Sequence, residues 1–114
     1  MVLVKRAYEE PAPADGRRVL VDRLWPRGLA KDRADVDEWL KTVAPSQELR
    51  KWYGHDPARF AEFAERYRAE LGTGEAADAL GHLRELAHDG PLTLLTATRD
   101  LPHAHTAVLT KLVP

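Results

Sequence analysis

The stretch Val19-Leu-Val-Asp-Arg-Leu-Trp-Pro-Arg-Gly28 constrains this chain more than any other. A short continuous run of Val and Leu closed by turn residues is the pattern of a strand covered on both faces, which places a sheet inside the fold. The run, read as a strand over Val19–Leu24, then breaks. Pro26 with Gly28 two positions on fits a type I turn, proline at its second place and glycine at its fourth. Arg27 then sits on the turn, Arg23 lies a few residues below it and Trp25 between them. Two guanidiniums at one strand tip read as the mouth of an anion-binding site, because each can donate two parallel hydrogen bonds to a phosphate or carboxylate.

A chain of 114 residues has room for one hydrophobic core, so a single domain over residues 1–114 is expected. Its 17 basic and 18 acidic residues give a net charge of −1, which disfavours a broad nucleic-acid footprint while leaving room for a local basic pocket. With no cysteine, disulfides, thiol nucleophiles and Cys-zinc sites are excluded together. The N-terminal residues lack a signal-peptide core and no apolar run approaches membrane-spanning length, so the expectation is a cytoplasmic protein without a membrane partner.

The remaining elements follow from periodicity and punctuation. Val2–Lys5 reads as a first strand, residues 9–16 as a Pro- and Gly-punctuated loop, and 29–34 as one or two helical turns. Val36–Val43 stays open: Val36, Trp39, Leu40 and Val43 have helical spacing with Asp35 as a cap, yet the segment is short and ends at Ala44-Pro45. Ser46 caps a short helix, Gln47–Trp52, stopped by Gly54. Asp56-Pro57 opens a helix whose Phe60, Phe63, Ala64, Tyr67 and Leu71 form a clean apolar stripe. A further helix over Glu75–His88, a buried strand over Leu92–Ala97 and a last helix to about Leu112 complete the chain. Apolar strands alternating with amphipathic helices predict an α/β fold with a small, mostly parallel sheet of three or four strands and helices packed on both faces.

Ligands of such folds collect beyond the carboxyl ends of the strands. Two loops leave those ends here, one carrying Arg23 and Arg27, the other Arg99, His103 and His105. The motifs Val21-Asp-Arg-Leu-Trp-Pro-Arg-Gly-Leu29, Ala44-Pro-Ser-Gln-Glu-Leu-Arg-Lys-Trp52 with Gly54-His-Asp-Pro57, and Leu94–Asp100 followed by His103-Ala-His-Thr-Ala107 resemble the YeaO-like family of uncharacterised bacterial proteins. The resemblance spans nearly the whole chain. It implies a compact single-domain α/β protein and tilts the open segment 36–43 towards strand. The family pattern has Lys-Asp and His-Asn-His where this chain has Arg99-Asp100 and His103-Ala-His105.

The candidate site then comprises Arg23, Trp25, Arg27, Ser46, Arg50 and Arg99 for ligand binding, with His55, His103 and His105 to move protons near neutral pH. Each has a structural alternative. Arg23 could pair with Asp22 or Asp56, Trp25 could plug the core, and Ser46 could serve only as a helix cap. No metal site is expected: on one helix His103 and His105 would point about 200° apart, and no third ligand is evident. No nucleotide-binding glycine motif, phosphate loop or nucleophile elbow is present, so no cofactor is expected. The leading expectation is a small anionic ligand in one basic pocket, with or without chemistry. The alternatives are a non-catalytic module binding nucleic acid or protein through the same face, and an oligomer interface lined by Trp25, Trp39 and Trp52.

Overall fold

The computed structural model describes residues 2–113. Four strands, β1 (Val2–Arg6), β2 (Arg17–Leu20), β3 (Glu38–Trp39) and β4 (Leu92–Thr96), form one sheet in the order β1-β4-β2-β3, with every pairing parallel. All five residues of β4 are buried, as a central strand of a parallel sheet requires. Side chains alternate between two faces. Val19, Val21, Leu92 and Leu94 point into the larger core. There they meet the apolar faces of α2 (Gln47–Tyr53), α3 (Phe60–Glu70), α4 (Gly74–Asp89) and α5 (His105–Leu112). Leu20 and Leu95 point the other way, into a smaller cluster closed by Trp25, Leu29, Val36 and Trp39. The two faces are therefore covered unequally. Four helices cover one, and the other lies under the β2–β3 connection, which carries only the four-residue helix α1 (Lys31–Ala34).

Several expected boundaries move for identifiable reasons. The central strand ends at Leu20 rather than Leu24. Val21 still donates to the Leu95 carbonyl, but Asp22 turns its carboxylate to β4, and Leu24 is 62% exposed. The following turn is shifted by one residue from the expected type I. Leu29 N–H donates to the Pro26 carbonyl, which puts Gly28 third with φ +78°, the left-handed backbone a type II turn needs at that place. The open segment resolves into the two-residue β3 and a 3-10 turn at Lys41–Val43. Asp35 ends α1 in a left-handed conformation instead of starting a helix. Asp56-Pro57 begins a 3-10 turn, Pro57–Arg59, before α3 starts at Phe60. His103 and His105 do not share a helix: His103 closes a 3-10 turn, Leu101–His103, and extended Ala104 separates it from α5.

At the amino end of β2 an ionic knot ties that strand to β1 and to the end of α1. Arg18, 2% exposed, donates to Asp15 and to the carbonyls of Ala34 and Asp35, while Lys5 Nζ sits 3.0 Å from the same carboxylate. Burial by itself would raise the Asp15 carboxyl. Hydrogen bonds from Lys5, the Ala12 amide and Arg18 outweigh it and hold its pKa below the ordinary value.

Candidate functional site

A cavity of about 360 Å³ opens beyond the carboxyl ends of the strands. The exit from β2 contributes residues 22–27, the segment after β3 contributes Ala44 and Pro45, and α2 with its exit contributes Arg50, Tyr53 and His55. The region after β4 adds Ala97, Thr98, His103, Ala104 and His105. Of the nine residues expected from sequence, Arg23, Trp25, Arg27, Arg50, His55, His103 and His105 therefore share one hollow. Ser46 and Arg99 do not line it.

Ser46 is engaged by hydrogen bonds of its own. Its hydroxyl accepts from Leu49 N–H at 3.1 Å as the cap of α2 and donates to Glu70 at 2.6 Å, while its amide donates to the same carboxylate at 2.8 Å. Arg99 is exposed on the loop after β4, one residue beyond the lining Thr98.

Arg23 pairs with neither Asp22 nor Asp56. Its Nη2 donates to the carbonyls of Ala44 at 3.2 Å and Pro45 at 3.3 Å, and Nε reaches Pro45 at 3.4 Å, stitching the exit of β2 to the approach of α2. Three of the five guanidinium hydrogens are thereby used, and the two on Nη1 have no partner among the described residues. Arg27 and Arg50 are exposed, and neither guanidinium makes a hydrogen bond or ion pair among the described residues. Arg27 is held instead through its backbone, whose carbonyl accepts the Tyr8 hydroxyl at 2.8 Å.

Trp25 serves the packing as well as the cavity. Its Nε1 donates to the Leu29 carbonyl at 2.8 Å and its ring meets Trp39 edge-to-face at 5.4 Å, while Trp39 Nε1 donates to the Asp22 carbonyl. Trp52 lies apart from this pair, beneath the guanidiniums of Arg59 and Arg66. The three tryptophans thus do not form one patch.

Asp22 and Tyr53, which also line the cavity, were not among the residues expected from sequence. The Asp22 carboxylate accepts the Thr96 hydroxyl and the Ala97 amide, both at 2.7 Å, tying the end of β2 to the end of β4. Its Oδ1 also lies 3.4 Å from His105 Nε2, which is 3.0 Å from the Val21 carbonyl. An Asp directly after an apolar run, hence at the strand tip, was the available signal. Tyr53 was missed because α2 runs one residue past its expected end. Its ring stacks on Phe63 at 4.2 Å and its hydroxyl donates to the His103 carbonyl at 2.6 Å, with burial the main cause of a raised pKa.

The three histidines differ. His103 Nδ1 faces Asp100 at 2.8 Å, and its ring sits edge-on to Phe60. His55 is exposed with φ +56°, a left-handed conformation that histidine adopts more readily than most residues. His105 is enclosed, with Tyr67 edge-on at 6.1 Å. Burial lowers its pKa below the ordinary value and Arg50 and His55 push the same way, against Asp22 and the Val21 carbonyl. Among the described residues no group of three or more His, Asp or Glu side chains is arranged to hold a metal ion, and no helix is long and apolar enough to cross a membrane.

A family model described as the inactive DUF488-N3 subclade matches residues 1–114. Uncharacterized proteins of Mycobacterium tuberculosis (strain ATCC 25618 / H37Rv) and Mycobacterium bovis (strain ATCC BAA-935 / AF2122/97) are each 51% identical over 112 residues, 98% of this chain and 92% of theirs. The uncharacterized protein YeaO of Escherichia coli (strain K12) is 42% identical over 105 residues, 92% of this chain and 90% of its own. No solved structure matches the chain.

Proposed function

This chain belongs to the inactive DUF488-N3 subclade, with YeaO among its relatives, and from that premise we propose that it binds a small anionic ligand beyond the carboxyl ends of its strands without converting it. One observation carries the reading. Guanidiniums with unused donors (Arg23 through Nη1, Arg27 and Arg50) surround a cavity whose one carboxylate, Asp22, is already engaged by Thr96 and Ala97. An anion there gains charge-assisted hydrogen bonds without displacing a resident carboxylate. The uncapped first turn of α5, at Ala104 and His105, adds the positive end of a helix dipole. By contrast, the start of α2 is already occupied by the Glu70 carboxylate.

Binding without conversion fits the same geometry. The cavity offers no cysteine or serine nucleophile, and Asp22 is spent on structure. The description "inactive" belongs to the family model and favours the same side. A nucleic-acid surface fits less well, since three guanidiniums in a hollow neutralise few phosphates and the net charge is −1. The test is an NMR titration of the labelled chain with inorganic phosphate and with phenyl phosphate. Saturable shifts at the amides of Ala97, Thr98 and His105 are expected, weakened about tenfold or more in Arg27→Ala and Arg50→Ala. No saturable shift with either anion would refute the reading.

A further inference from the structure

His105 occupies the first position of α5, and its side chain, 10% exposed, lines the cavity. Its Nε2 lies 3.0 Å from the Val21 carbonyl oxygen and 3.4 Å from Asp22 Oδ1. A carbonyl oxygen can only accept, so Nε2 must carry the hydrogen. The Asp22 carboxylate, which receives hydrogen bonds from Thr96 and Ala97 on its two oxygens, imposes the same requirement. A neutral imidazole protonated at Nε2 keeps its lone pair on Nδ1. That nitrogen has no hydrogen-bond partner among the described residues. Enclosure of the ring, the largest influence, and the charge of Arg50 hold its pKa below the ordinary value against the pull of Asp22.

We infer that Nδ1 of His105 is a hydrogen-bond acceptor facing the cavity, so that the preferred ligand carries an O–H or N–H donor beside its negative charge, as a hydroxy acid or a hydroxyalkyl phosphate does. The inference rests on the anion-binding reading and narrows it to a ligand class. The other polar side chains argued for the anion, Arg23, Arg27 and Arg50, are donors only. A bare anionic oxygen set against Nδ1 would oppose lone pair to lone pair. A ligand with a hydroxyl there satisfies His105 and the arginines together. One without it strips water from that acceptor and leaves it unpaired, which costs about ten- to a hundredfold in affinity.

Two measurements on the full chain decide the matter. Long-range nitrogen–proton NMR at pH 7 reads which nitrogen of His105 carries the hydrogen, and Nε2 is expected. Hydroxyethyl phosphate and propyl phosphate, equal in charge and nearly equal in size, are then titrated in parallel. The hydroxyl-bearing probe is expected to bind about tenfold to a hundredfold more tightly. A hydrogen on Nδ1, or equal binding of the two probes, would overturn the inference while leaving anion binding intact. Binding of neither would overturn both.

Discussion

Replacing Asp22 by asparagine tests whether one carboxylate holds the cavity end of the sheet together. In the folded protein three hydrogen-bearing groups converge on it: the Thr96 hydroxyl and Ala97 amide at 2.7 Å each, and His105 Nε2 at 3.4 Å. All three can be served by a carboxylate, which only accepts. Asparagine has one oxygen, so whichever way the amide turns, its NH₂ faces either the Ala97 N–H or the His105 Nε2–H, neither of which can accept. Retaining the Ala97 bond turns the NH₂ towards Thr96 and His105. The Thr96 hydroxyl can reverse and accept from that NH₂, so two charge-assisted bonds weaken to neutral ones while the His105 contact becomes donor against donor, a combined cost of about 2–4 kcal/mol. For a chain of this size that lowers Tm by about 8–16 °C, taking about 4 °C per kcal/mol. Thermal and urea denaturation at pH 7.5, followed by circular dichroism, would measure it. The same substitution removes a charge that favours protonated His105, so His105 should titrate at lower pH than in the parent protein. A stability loss under about 1 kcal/mol, or a His105 pKa that rises, would refute the reasoning.

Acidification should destabilise the protein in two stages. The folded pKa of His105 lies below its unfolded value of about 6.5, so its contribution is fully present above pH 6.5 and declines as pH falls towards the folded pKa, at no more than about 1.4 kcal/mol per pH unit. Urea midpoints between pH 7.5 and 5 should show this slope, and it should vanish in His105→Gln. Asp15, also depressed, adds its loss only as pH drops below its ordinary 3.8 and on through the folded value, so Asp15→Asn should flatten that later limb. Ser46→Ala removes the α2 cap and the hydroxyl bond to Glu70, leaving only the amide on that carboxylate, and chemical denaturation should register a loss of about 1–2 kcal/mol. Gly16→Ala should be worse, above about 2 kcal/mol in the same assay. A Cβ there would collide with the Pro91 carbonyl oxygen, at φ +63°.

How far the chain is legible without coordinates depends on how far each interaction reaches along it. The stripe Phe60–Phe63–Tyr67, the caps Ser46 and Gly54 and the buried run Leu92–Thr96 declare themselves because each depends on residues within a few positions. They were enough to predict an α/β fold with a small parallel sheet, and to expect arginines and histidines gathered at the strand tips. The one-residue shift of the turn at Gly28 and the two-residue length of β3 lie below what such local patterns resolve.

The destinations of the polar side chains were another matter. Arg23 could have met Asp22, its neighbour, but its guanidinium reaches carbonyls 21 and 22 residues away. Asp22 bonds to Thr96 and Ala97, His105 to Val21, and Ser46 to Glu70, across separations of 24 to 84 residues. Local periodicity records whether a side chain faces inward and nothing about which distant backbone will be there. Sheet order supplies that information, because placing β4 beside β2 brings the exits of two strands into one hollow. Local pattern is enough for most of the elements and for the kinds of charge carried to their ends. Which charges are consumed by structure, and which have no partner among the described residues, depends on the packing of β4 between β1 and β2.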